Sequence, residues 1–211
     1  MNKFWLKKQY LMHNTKKKSR LPNDFQEVEY IQGTGTQCID TGLIPTKANQ
    51  FELDFSLQEK VNSRLYGMFG GYAFGLNGPN TFWGCGSDLR LGDIFTLNER
   101  YILKQDTRTN QATLNIETYN GVNIGNWSQQ YSSMSTDVNV FILDMKVAWA
   151  TIFAPAKAKV YACKIHNGDS LVRDFIPCYR KSDNEVGLYD IVNNQFYTNQ
   201  GSGSFLMGNE V

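Results

Sequence analysis

The stretch that most restricts the possible folds runs from Lys159 to Cys178, KVYACKIHNGDSLVRDFIPC. Tyr161, Cys163 and Ile165 alternate with Ala162, Lys164 and His166, which puts one set on each face of a strand. Asn167-Gly168 supplies a turn, because glycine accepts positive φ and asparagine tolerates it. Leu171 to Ile176 reads as the returning strand. Pro177 is expected to end it, having no N–H for the ladder. This is a β-hairpin, and no residue in it suggests a reaction. Cys163 and Cys178 could face each other across it, but free thiols of a reducing compartment are the expectation for all four cysteines.

The same grammar recurs along the chain. Residues 27–42 read as a second hairpin, with Val28, Tyr30 and Gln32 alternating before a Gly33-Thr34-Gly35 turn and then Gln37 and Ile39. Phe51, Leu53, Phe55 and Leu57 alternate with Glu52, Asp54 and Ser56, a strand with one buried face. Residues 65–71 form a further strand. Tyr101 to Thr107 and Ala112 to Tyr119 are two more, joined through Thr109-Asn110. Residues 123–137, with Trp127 and Tyr131, read as a polar loop, and apolar Val138 to Lys146 as a central strand. At the end come a short strand, an Asn193-Asn194 turn, a strand from Gln195 to Thr198, and a Gly-Ser-Gly turn before Phe205. No segment sustains a helical period. Ten or more short strands with turns between them argue an all-β, antiparallel two-sheet sandwich. At 211 residues the chain can bury a substantial core in one domain.

The net charge of +1 hides an asymmetry. Residues 1–20 hold seven of the 21 basic residues and no acidic one, leaving 14 basic against 20 acidic in 21–211, a formal charge of −6. An extended arm, 1–20, therefore precedes a mildly acidic domain, 21–211. Apolar Phe4, Trp5, Leu6, Tyr10, Leu11 and Met12 are interleaved with Lys7 and Lys8, and Lys16, Lys17 and Lys18 follow. A solvated tail is the plain reading. The functional one is an anchor whose apolar residues fill pockets on a protein partner while its lysines meet acidic groups. Phosphate contacts need only charge, so this many anchor residues argue against nucleic acid as the partner. The apolar runs are too short and too interrupted for a signal peptide, and nothing is long enough to cross a membrane.

From Phe69 to Ser87 there are six glycines in nineteen residues. The stretch has no G-K-[ST] and is not a phosphate-cradling loop. Core packing is the ordinary role of its aromatics. The alternative is a sugar platform in which Tyr72 or Trp83 stacks on a pyranose and Asn77, Asn80, Asp88 or Arg90 binds hydroxyls. Catalysis is not expected. Glu52 and Asp54 share a face as a glycosidase pair would, but the third group such chemistry needs is missing. The cysteine spacing and two distant histidines, His13 and His166, exclude a zinc site. No metal or cofactor is expected.

Three pieces carry a resemblance: LPNDFQEVEYIQGTGTQCIDTG (21–42), AKVYACKIHNGDSLVRDFIPC (158–178) and GLYDIVNNQFYTNQGSGSF (187–205). They resemble a recurrent concanavalin A-like (laminin-G-like) jelly-roll domain of phage, prophage and gut-bacterial structural proteins. Cys38 and His166 stand where that group usually has tyrosine. The resemblance implies a jelly-roll sandwich with first and last strands close together, and it transfers no catalytic residue. Combined with the arm, it implies a non-enzymatic virion accessory protein assembled in the host cytoplasm. Capsid decoration or head fibre is favoured over a tail component. Such a protein would attach to other virion proteins through residues 1–20, form a homo-oligomer and display its sandwich, with a host-surface glycan as a further ligand. The alternative is a carbohydrate-binding module of a gut-bacterial or prophage surface protein.

Overall fold

The computed structural model describes residues 19–46, 48–85, 87–131, 137–148, 150 and 152–211. The anchor residues Phe4, Trp5, Leu6, Lys7, Lys8, Tyr10, Lys16, Lys17 and Lys18 lie outside these. In chain order the strands are β1 (Phe25–Glu27), β2 (Ile31–Gln32), β3 (Ile39–Asp40), β4 (Asn49–Leu57), β5 (Ser63–Gly67), β6 (Tyr72–Asn77), β7 (Asn80–Cys85) and β8 (Asp88–Gly92). Then come β9 (Arg100–Asp106), β10 (Gln111–Thr118), β11 (Asn123–Gln130), β12 (Phe141–Ile142), β13 (Ala158–Asn167), β14 (Ser170–Arg180), β15 (Glu185–Asp190), β16 (Gln195–Thr198) and β17 (Leu206–Met207). The larger sheet runs β11-β10-β9-β4-β13-β14-β15-β16, with β1 beside β14, β2 beside β13, and β17 beside β2. The smaller sheet runs β3-β12-β5-β6-β7-β8. The two antiparallel sheets form a sandwich.

Strict alternation in β4 fixes the centre of the larger sheet. Phe51, Leu53, Phe55 and Leu57 are fully buried, while Gln50, Glu52 and Asp54 point outward. Each such apolar side chain contributes about 1.5–3 kcal/mol by leaving water. They meet Leu65, Tyr66, Phe74, Leu76 and Trp83 from the smaller sheet in one core. Phe51 and Tyr66 stack at 4.1 Å between ring centres. Within this apolar layer Gln105 Oε1 accepts from the Tyr66 hydroxyl and from Trp83 Nε1, both at 2.7 Å.

The sandwich is closed along both sides. On one, Ile39 bridges Asn199, and the Gln200 N–H donates to the Cys38 carbonyl at 2.9 Å. On the other, Gln129 Nε2 donates to the Trp83 carbonyl at 3.2 Å. The two ends of the described chain are also zipped together: β2 pairs with β17, and Val28 bridges Glu210. Arg20, counted in the arm by its charge, contacts the sandwich: its Nη1 lies 3.2 Å from Asp174 Oδ2. Leu21 and Phe25 pack on Ile176, Cys178 and Tyr189 in a second apolar cluster.

Several expectations are corrected. Residues 27–42 are not a hairpin: β2 and β3 lie in different sheets, and the chain crosses between them. The crossing is tied by Gln37 Oε1, which accepts from the Thr34 N–H at 2.7 Å and from the Thr34 hydroxyl at 3.1 Å. The strand after the 167–170 turn does not stop at Pro177. β14 continues to Arg180, because at that point its neighbour changes from β13 to β1. The Val28 N–H donates to the Pro177 carbonyl at 3.0 Å. The hairpin's turn is centred on Gly168-Asp169, one residue later than expected, with Gly168 at φ 60°. A bulge between Val160 and Ala162 breaks the alternation, so Val160 rather than Tyr161 shares the buried face with Cys163 and Ile165. Cys163 and Cys178 do not face each other. They sit in separate clusters, and all four cysteines are buried free thiols.

Two misread segments have the same cause, hydrogen bonding that local hydropathy does not report. The expected loop at 123–137 contains β11, paired to β10 from Gln111↔Gln130 to Glu117↔Asn123. The expected central strand at 138–146 is reduced to Phe141–Ile142. Leu143 turns to φ 65°, and the buried Asp144 carboxylate then accepts from the N–H groups of Met145 (2.7 Å), Phe153 (2.9 Å) and Ala154 (2.8 Å). The apolar run therefore coils around an acid instead of extending.

Candidate functional site

The aromatics of the Phe69–Ser87 stretch take their ordinary role in core packing, and the alternative of a sugar platform on Tyr72 or Trp83 is not what the structure shows. Tyr72 and Trp83 point into the core, with 1% and 0% of their surface exposed. Their strands β6 and β7 are interior strands, and both rings lie on the face turned toward the larger sheet. Burial pushes the Tyr72 phenol well above its ordinary range. Asn77 and Asn80 pair at the β6–β7 turn, whereas Asp88 and Arg90 lie on the edge strand β8 opposite Gly84 and Phe82. Asn80, Asp88 and Arg90 are exposed, but neither Tyr72 nor Trp83 is open beside them. Phe82 is buried beneath Arg64, whose guanidinium carbon sits 4.3 Å from the ring centre.

The open aromatic surface is on the outer face of the larger sheet. β9 supplies Arg100, β4 supplies Asp54, β13 supplies Tyr161, and the turn after β10 supplies Tyr119. Arg100 holds Asp54 with two hydrogen bonds, Nε to Oδ1 at 2.7 Å and Nη2 to Oδ2 at 2.6 Å. This fork fixes the guanidinium plane. The Tyr119 ring lies 3.8 Å and the Tyr161 ring 4.0 Å from the guanidinium carbon, so Arg100 is stacked with both. Tyr161 meets Tyr30 edge-on at 5.4 Å. Lys159 Nζ covers Tyr30 at 4.2 Å. Burial opposes the Arg100 charge, but the Asp54 hydrogen bond and charge, with the two phenols, more than offset it and raise its pKa.

These residues border a groove of about 570 Å³, whose lining includes Glu27, Glu29, Tyr30, Arg100, Tyr119 and Tyr161. Tyr119 is 54% exposed. A second groove of about 220 Å³ opens on the same face and is lined by outward Gln50, Glu52, Lys104, Asp106, Asn115 and His166. Glu52 and Asp54 share this face as the alternation requires. Asp54 is committed to Arg100, and Glu52 stands opposite Lys104 and Lys164. Such a surface can bind by stacking and hydrogen bonding, and it does not present a free carboxylate pair. Among the described residues, no three His, Cys, Asp or Glu side chains gather as a metal site.

Sequence reading missed Tyr30, Arg100, Tyr119 and Tyr161 because they come from four separated segments. The β2–β13, β13–β4, β4–β9 and β9–β10 registers together bring them to one place. The alternation in β4 was the available signal: it shows Asp54 on an outer face that needs a partner.

Among solved structures, the chain is similar to a Bacteroides ovatus protein provisionally described as carbohydrate-binding. The TM-score is 0.59 and the identity 9%, over 88% of this chain and 62% of that one. The chain thus spans less than two thirds of that protein's length. No family model matches the sequence, and no curated protein is similar to it. The likeness is one of architecture, the two-sheet β-sandwich.

Proposed function

We propose that this chain is a carbohydrate-binding module, a lectin-like jelly roll that takes a glycan in the tyrosine-lined groove. The Tyr119–Arg100–Tyr161 stack carries the reading. A pyranose presents an apolar C–H face bordered by hydroxyls, and an exposed tyrosine matches both with its ring and its polar tip. Here the rings are held in place before any ligand arrives, because Asp54 locks the arginine between them. Preorganisation of this kind reduces the ordering cost of binding. Glu27, Glu29 and the tyrosine hydroxyls provide polar partners at the rim. The commitment of Asp54 to Arg100 favours binding over glycoside hydrolysis. The architecture shared with the Bacteroides ovatus protein supports the binding reading, and the setting in this proposal is a surface protein of a gut bacterium or prophage. Anchoring through Phe4 to Lys18 concerns residues outside those described, and the groove's role is independent of it.

The test is a glycan array with the full chain, followed by calorimetric titration of the bound glycans. Tyr119→Ala is expected to weaken binding about 2- to 12-fold, the loss of one aromatic contact of roughly 0.5–1.5 kcal/mol. Its stability should fall by no more than about 1 kcal/mol, the value of the exposed stack on Arg100, so the folded protein remains available for the binding assay. An array without hits, or hits indifferent to both Tyr119→Ala and Tyr161→Ala, refutes the proposal.

A further inference from the structure

We infer that the site is extended and takes an internal stretch of a linear oligosaccharide, laid along β4 and β9 from the tyrosine-lined groove into the smaller one. This rests on the carbohydrate reading above. The β-sheet register carries the argument. On one side of β4, Ala162, Lys164 and His166 stand opposite Asp54, Glu52 and Gln50. On the other side, Ile102, Lys104 and Asp106 stand opposite the same three. All alternate outward, so three successive rows of side chains cross the face.

The tyrosine-lined groove reaches Ala162 and Arg100, at the Asp54 end of these rows. The smaller groove begins at Glu52 and ends at Gln50, Asp106 and His166. The two share no lining residue but lie on neighbouring rows of one face, with Asp54 between them. Four residue steps along the strand lead from Asp54 to Gln50, a run of about 13 Å at ~3.3 Å per step, longer than one pyranose. The chemistry also divides along the run. The first groove offers phenol rings, whereas the second offers amides, the Glu52 carboxylate, an ammonium group and an imidazole, with Asp106 already paired to Arg108, so hydrogen bonding to hydroxyls outweighs stacking there. A single terminal sugar would use only the first.

The experiment is calorimetric titration of the full chain with size-graded oligosaccharides, from disaccharide to hexasaccharide, of β-glucan, β-mannan, xylan, homogalacturonan and chitin. The expected result is a gain of at least about tenfold in affinity from disaccharide to tetrasaccharide of the series that binds. In the double variant His166→Ala, Asn115→Ala, the ratio of tetrasaccharide to disaccharide affinity should fall toward one. A series that binds equally at every length overturns the extended site and leaves the carbohydrate reading standing. So does an undiminished ratio in the double variant. If no series binds, the carbohydrate reading itself fails and this inference falls with it.

Discussion

Gln105→Leu tests how the two sheets are held in register. In the wild type one side-chain oxygen accepts from both Tyr66 and Trp83, which reach across from the smaller sheet, at 2.7 Å each. Both donors belong to fully buried residues, and Gln105 itself is 2% exposed. Leucine nearly conserves volume but offers no acceptor. A buried donor left unpaired costs about 1–3 kcal/mol, so two cost roughly 2–6 kcal/mol, partly offset by the extra apolar burial of leucine. A net loss of about 2–4 kcal/mol is expected, a large share of the ~5–15 kcal/mol typical of a domain. Equilibrium urea unfolding followed by tryptophan fluorescence measures it directly. Tyr66→Phe in the Gln105→Leu background should cost less than the sum of the single changes, because removing both partners of a buried bond removes the orphaned donor. A loss below about 0.5 kcal/mol, or strict additivity of the two substitutions, would refute the reasoning.

Two further expectations concern burial. Burial pushes the thiols of Cys38, Cys85 and Cys178 up to about 12, and that of Cys163 well above the thiol range. In the unfolded chain they ionise near ~8.5. Below that pH the thiols' contribution to stability is fully present. Above it the unfolded state sheds protons that the folded state keeps, so stability falls with rising pH by up to about 1.4 kcal/mol per pH unit per thiol. Urea midpoints measured from pH ~8 to ~10 should fall more steeply in the wild type than in Cys85→Ala, and equal slopes would count against it. Gly75→Ala should be destabilising by about 1–3 kcal/mol, because a Cβ there would lie 2.1 Å from the Ser63 carbonyl oxygen and 2.9 Å from the Arg64 Cα. The same urea titration decides it, and an unchanged midpoint would show that β5 and β6 can separate without cost.

The class of the fold was legible wherever one strand face is buried and the other wet. β4 and the β15–β16 pair follow their residues almost letter by letter, because period-two alternation and turn chemistry are local. Segments whose partners lie far along the chain were not legible. β11 is an edge strand with polar residues on both faces, so its hydropathy resembles a loop, and only the ladder to β10 makes it a strand. The run 138–146 looks like a buried strand because it is buried, yet Asp144 gathers three N–H groups and bends it. The sugar platform failed for a related reason. Core packing, the ordinary role of such aromatics, is what the structure shows: β6 and β7 are central strands and the Tyr72 and Trp83 rings fill the core, so the alternative of an open platform has no ring to offer there. The Arg100 stack was invisible because no single segment contains two of its members within reach of each other.

The zipping of β2 to both β13 and β17 has a kinetic consequence. Residues 25–32 cannot find their place in the larger sheet until residues near 160 and 180 are available, and the pairing of β2 is complete only with Leu206 and Met207. Two blocks close locally, 49–130 and 158–198, and their seam is the β4–β13 ladder between segments roughly 110 residues apart. High sequence separation of this sort places a chain among slow folders, because loop closure must come before the contacts that reward it. On a ribosome β1 and β2 would wait, unpaired, until residues 159–207 had been made, which makes their short lengths a useful safeguard against premature association.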